Sequence, residues 1–384
     1  MLIAFVFISV FIIQFIIALE MNFIGPLAPF LANYFGIRGS NVILLNLGYS
    51  LSGMFVPFIG YLSDKYGKKR FILFGLMFFV LGSVVCAFSK NAILFSIGRV
   101  FIGISYFTLM STLLSYLSDF INYKNRGKAN GVMRFSFALA ILISPVYASY
   151  VVNEYKSLTY VYLPLALIAI IPFIILIFLP DSRKVDVQEI KINNIIKIAK
   201  KPKNSLILIS LFLIITAPTL IYNYLGLHLS SNFNFNQSSI GSFYSIIAIG
   251  TIIGVVSSAV LSDRIGNLNY SKIFFCLVLI SLLPLGFTNN LLLLTVSSFI
   301  FALGLDGGFS AFQTYITEVE KEMRGTFLSL MYTVNALTIT FYSITASRLY
   351  EFGGMKIISI ISFIFIVLSL YLIRKIDDNP KQDQ

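Results

Sequence analysis

Three charged side chains stand inside long apolar runs: Glu20, Arg99 and Asp306. In hydrocarbon a carboxylate is costly unless it is paired, protonated or turned toward water. Glu20 and Asp306 are therefore candidate proton carriers or partners for a cation, and the glycines of Gly304-Leu-Asp306-Gly307-Gly308 are expected to loosen the helix around Asp306 and expose its backbone. Arg99 keeps its charge, because a guanidinium does not deprotonate in proteins. It is a candidate contact for an anion, or the structural partner of an acid. At about 1.5 Å rise per residue, counted from Asn91, it lies roughly 12 Å into its helix, at a depth loosely matching that of Glu20. A second group is polar but uncharged. Tyr222, Asn223 and Tyr244 fall on two neighbouring runs, and Gln313, Tyr315, Tyr332 and Asn335 on two later ones. These groups suit orienting contacts to a small-molecule substrate in an aromatic cavity, or hydrogen bonds between helices. His228, the only histidine, lies near the outer end of its run, where an interfacial role competes with proton handling.

The elements carrying these residues must cross a membrane. Hydrophobic residues make up 58% of the chain and charged ones 11%, outside the range of a soluble domain. Apolar runs of about 20 residues, the length needed to cross hydrocarbon, recur throughout. Twelve spans are predicted near 3–33, 41–61, 71–88, 92–118, 128–151, 158–179, 205–229, 239–263, 271–288, 291–318, 325–350 and 355–374. Sheet-type alternation is absent. The fold class is thus all-α, a polytopic membrane protein. A polar segment divides it into residues 1–180, a linker 181–204, residues 205–374 and a tail 375–384, with an amphipathic surface helix over 187–198. Most of the 28 Lys and Arg fall in loops after even-numbered spans and in the tail, which predicts cytoplasmic termini. The formal charge of +12 is then a matter of topology and lipid headgroups, with no nucleic-acid partner. Cys86 and Cys276 read as small buried hydrophobes, and neither a metal site nor a cofactor is expected.

One charged turn organises the chain. Gly60-Tyr-Leu-Ser-Asp64-Lys-Tyr-Gly67-Lys68-Lys69-Arg70 separates the second and third runs, and Leu261-Ser-Asp263-Arg264-Ile-Gly266 repeats its core 199 positions later. Asp119 and Glu318 stand at the same offset, and Arg126-Gly127 and Arg324-Gly325 at 198. Two copies of a six-span unit follow. Asp64 adds nothing to positive-inside sorting, so it is a candidate latch on a helix N-terminus or basic side chain. Lys69 and Arg70 read as topology signals and lipid contacts. Asn267 replaces Lys68 in the second copy, so Asp64 is expected to carry more of the closure than Asp263.

These features resemble the major facilitator superfamily over the whole chain. Gly60 to Arg70 resembles its loop between spans 2 and 3, and Arg99-Val-Phe-Ile-Gly103 its fourth-span motif. Arg126-Gly127 resembles the following loop, and Glu20 with Pro29 its first-span acid and proline. The resemblance implies twelve helices in two pseudo-symmetric bundles, with spans 1, 4, 7 and 10 around a central cavity. Glu20, Arg99 and Asp306 fall on three of these four. Span 5 carries Ser144-Pro145 between Ala140 and Ala148, where the drug-antiporter branch has a glycine-rich stretch. The implied activity is secondary transport by alternating access, proton-coupled, by a monomer in the cytoplasmic membrane. Two acids against one deep arginine favour export of lipophilic or cationic compounds. An importer of organic anions would use Arg99 instead, and a non-transporting sensor or scaffold has no use for charges in the bilayer. No phosphate loop or catalytic triad occurs, so an enzyme is not expected.

Overall fold

Helices are the expected product of these runs, because a lone segment in hydrocarbon satisfies its backbone polar groups only within itself. The computed structural model describes residues 2–121, 126–181, 192–319 and 324–377, and every regular element among them is helical. Two compact units result, Met1–Glu189 and Ile190–Gln384.

The first unit departs from uninterrupted spans at its start. The first run is two helices, α1 (Leu2–Met21) and α2 (Ile24–Phe35), not one. Pro26 lacks the N–H that would bond the carbonyl of Asn22, so the ladder opens there. The amide of Phe23 turns back to Glu20 O at 3.1 Å, and the Asn22 side chain bonds Ala18 O at 2.7 Å. The second run is also segmented: a 3-10 stretch over Gly39–Asn46, then α3 (Leu47–Ser52), a 3-10 turn over Gly53–Phe55 and α4 (Val56–Tyr66). The rest are continuous: α5 (Lys68–Ala87), α6 (Ala92–Phe120), α7 (Arg126–Tyr155) and α8 (Thr159–Phe178). Helix α5 packs between α6 and α8, and α1 lies against α6, α7 and α8.

The second unit begins with α9 (Ile192–Ala199), of which Ile198 is buried. This helix covers the described part of the expected surface helix over 187–198, whose residues before 192 lie outside the described residues. It is followed by α10 (Pro202–Phe233), α11 (Gln237–Ile265), α12 (Asn267–Phe287) and α13 (Leu291–Val319). The last element, α14 (Arg324–Asp377), joins the eleventh and twelfth spans across non-helical Gly353 and Gly354. Among the described residues ten helices are long and apolar enough to cross a membrane. The joined pair in α14 and the segmented second run account for the difference from twelve.

Two expectations need correction. Cys86 is buried, but Cys276 is exposed on α12. The glycines around Asp306 do not loosen span 10, because α13 is unbroken there. A Cβ on Gly304 would stand 2.7 Å from Phe274 O, and one on Gly308 2.8 Å from the Phe275 ring, so these positions seat α12 closely.

The repeated turn is visible in the backbone. Gly67 (φ 109°, ψ 122°) and Gly266 (φ 90°, ψ 127°) link α4 to α5 and α11 to α12 in nearly the same conformation, which side chains with a Cβ avoid. At Gly67 a Cβ would also stand 2.6 Å from Asp181 Oδ2, whereas at Gly266 the nearest atom is Asn269 Nδ2 at 3.9 Å. Gly67→Ala should therefore destabilise the protein by about 1–3 kcal/mol for the backbone alone. Its melting temperature in detergent should fall further than that of Gly266→Ala.

Candidate functional site

Arg99 and Glu20 form a buried ion pair in the first unit, Arg99 Nη1 donating to Glu20 Oε1. Both are 1% exposed, so neither charge is relieved by solvent from within the unit. The backbone explains how they meet. Glu20 sits in the last turn of α1, just before the break at Asn22 and Phe23. Ser144 of α7 holds that turn by donating to Leu19 O at 2.6 Å. On the other side, Gly103 lies one turn after Arg99 and lets the second run approach. A Cβ there would stand 2.6 Å from the Tyr49 backbone. Asn46 and Tyr49 thereby reach the guanidinium: Arg99 Nε donates to Asn46 Oδ1 at 2.9 Å, and the Arg99 guanidinium lies 4.5 Å from the Tyr49 ring centroid. The spacing from Arg99 to Gly103 is therefore physical: one residue supplies the charge, the other the room.

Asp306 is in the second unit and has a different setting. Its Oδ2 accepts from Thr251 of α11 at 2.6 Å, and no cationic side chain pairs with it among the described residues. Thr251 reaches it because Gly254, one turn on, meets α13 at Gly307, where a Cβ would touch the Gly307 amide nitrogen at 3.0 Å. Tyr222 of α10 adds its buried hydroxyl to the neighbourhood of Asp306 and packs edge-on against Phe301 at 5.5 Å. The other polar candidates are engaged inside the bundle. Tyr244 donates to Tyr222 O at 2.6 Å and accepts from the Gly226 amide at 3.1 Å, and Asn223 donates to Thr219 O at 2.7 Å. Gln313 bonds Tyr332 Oη at 3.5 Å, and Tyr315 stacks on Phe312. Asn335 is half-buried. His228 is buried, 6% exposed, with the Phe233 ring edge-on at 5.6 Å.

At the charged turn, Lys68 is buried and pairs with Asp119 at 2.8 Å. Lys69 is more than a topology signal. Its ammonium donates to Ile177 O at 2.9 Å and Leu179 O at 2.5 Å, closing the C-terminus of α8. Its amide points to Asp181 Oδ1 at 3.4 Å, and Tyr116 donates to Pro180 O at 2.9 Å. The second turn differs. Asp263, Arg264 and Glu318 are exposed and form no ion pair among the described residues. The surroundings of Gly60 and the side chains of Asp64, Arg126 and Arg324 are not among the described parts of the structure.

The profile of the Major Facilitator Superfamily matches residues 10–343 and 207–383. The chain belongs to the major facilitator superfamily. It is a membrane-embedded, multi-pass, all-helical member of that transporter family. It is 25% identical over 367 residues to the uncharacterized MFS-type transporter YwfA of Bacillus subtilis, covering 91% of this chain and 86% of that one. It is 26% identical to Multidrug resistance protein 1 of the same organism, over 81% of each chain. Among solved structures, a bacterial homolog of the human lysosomal transporter Spinster, inward-facing and unoccupied, aligns with a TM-score of 0.78. That match has 13% identity and covers 98% of this chain and 97% of that one.

Within this superfamily fold, Asn46, Tyr49 and Thr251 are the site neighbours that sequence reasoning missed. Asn46 and Tyr49 carried a usable signal, a polar pair one turn apart in an apolar run. Removing one member of a buried ion pair strands the other charge, at a cost on the order of 3–5 kcal/mol, whereas replacing both is far milder. Arg99→Leu should therefore lower the melting temperature in lipid or detergent more than the double variant Glu20→Gln/Arg99→Leu does.

Proposed function

We propose that the protein is a proton-coupled secondary transporter that exports lipophilic or cationic small molecules by alternating access. The observation that carries this reading is the unequal treatment of the two deep acids. Arg99 is committed to Glu20, and Asp306 has no cationic partner among the described residues. An unpaired carboxylate in a membrane bundle calls for a proton or a substrate cation, and Phe301 and Tyr222 add aromatic surface that favours a cation. The engagement of Arg99 counts against an importer that binds organic anions there. The likeness to Multidrug resistance protein 1 supports the direction. In this reading Glu20 carries the coupling proton, and Asp306 with Tyr222 contacts the substrate. Asp64, with Lys68 and Asp119 at the same turn, latches the cytoplasmic side more strongly than Asp263 does. The bundles are residues 1–180 and 205–374, both termini are cytoplasmic, and the chain acts as a monomer in the cytoplasmic membrane without a cofactor. It performs no chemical conversion.

The test is flux of tetraphenylphosphonium, a lipophilic cation, in proteoliposomes under an imposed proton gradient. Glu20→Gln should abolish the gradient-driven component. Asp306→Asn should cut the rate roughly tenfold, the scale of one charge-assisted contact. Unchanged gradient-driven flux in Glu20→Gln would remove the proton assignment. Transport of organic anions in place of the cation, lost in Arg99→Leu, would favour the importer.

A further inference from the structure

Protonating Glu20 leaves Arg99 with its charge and without its counter-charge, in a place where a bare guanidinium is costly. The surroundings of Arg99 contain a substitute. Asn46 ends the 3-10 stretch in helical conformation and leads directly into α3, and its side chain makes no cap to that helix. Its carbonyl oxygen instead accepts from Arg99 Nε, on a different edge of the guanidinium from the nitrogen that holds Glu20. Tyr49, one turn on, presents its ring face to the same cation, and its buried hydroxyl has no hydrogen-bond partner to draw it elsewhere. The segmented second run thus places two electron-rich groups on Arg99.

We infer that Asn46, with Tyr49, is a positioning residue that holds the Arg99 cation when Glu20 is protonated. The inference rests on the proton reading of Glu20. In the step, a proton from water adds to a Glu20 carboxylate oxygen, Arg99 keeps all its protons, and the cluster passes from net zero to one positive charge. Asn46 and Tyr49 stay bonded throughout, so the guanidinium neither swings out nor pulls α1 with it. The other groups around the pair are Tyr162 from α8, Cys86 from α5, and Tyr106 from α6, which packs on Tyr49. From α7, Ser144 holds the Leu19 carbonyl. None of these carries a fixed charge that could take over the role of Glu20.

The experiment is an infrared titration of the purified full-length protein in lipid, following the protonated-carboxyl band that disappears in Glu20→Gln. Because no substrate is needed, the readout does not depend on identifying one. Asn46→Leu should move the midpoint of that band to more acidic pH by about one unit, the scale of one charge-assisted hydrogen bond. Asn46→Asp, which supplies Arg99 with a second anion, should move it the opposite way, and Tyr49→Leu should shift it in the same direction as Asn46→Leu by less. Opposite shifts in Asn46→Leu and Asn46→Asp are not expected of a merely structural role. Should Asn46→Leu not fold, Asn46→Asp and Tyr49→Leu still carry the sign. A Glu20 band whose midpoint stays put in these variants overturns the inference while leaving the proton reading intact. No Glu20-dependent band at any pH overturns both.

Discussion

A buried arginine that cannot give up its proton constrains most of the first unit. Arg99 requires an anion, so Glu20 must stand at the same depth, and α1 must end its regular ladder there. It requires further acceptors for its remaining N–H groups, so the second run abandons regular helix to present Asn46. It requires the second run to come close, and Gly103 provides the space. Replacing a buried ion pair by apolar side chains of similar volume is often neutral or stabilising. The arrangement is therefore poorly explained as a contribution to stability.

The deep charges, the twelve runs and the duplicated turn were all legible in the sequence, because each depends on residue type and spacing alone. The pairing of Glu20 with Arg99 was legible as a possibility, since depth along a helix follows from rise per residue, whereas rotation about the axis does not. What could not be read was local irregularity. The opening after Glu20 depends on Pro26 lacking one donor, and the span reading passed over it. The glycines near Asp306 looked like weak points in α13 because their role, seating α12, is a property of the neighbour. Lys69 looked like one more loop cation, since its acceptors, Ile177 and Leu179 carbonyls, lie far along the chain. Tyr244 and Asn223 looked available for a substrate, yet backbone carbonyls take up their donors.

The two units share a backbone plan and differ in how it is charged. The turns at Gly67 and Gly266 are close in φ and ψ, but among the described residues an ion pair fastens only the first. The deep acid of the first unit is matched by a base, and that of the second is held by a threonine hydroxyl. Duplication accounts for the scaffold, and substitution within each copy accounts for the division between a self-neutralised cluster and an open carboxylate.

The knot at the first turn has a consequence for synthesis. Lys68, Lys69, Tyr116, Asp119, Ile177, Leu179, Pro180 and Asp181 all precede the second unit in the chain. Every bond among them can form while the ribosome is still translating α10. The first bundle can therefore seal that end of itself before its sequence-related twin emerges. This order of events protects the nascent chain from pairing helices of one half with their look-alikes in the other.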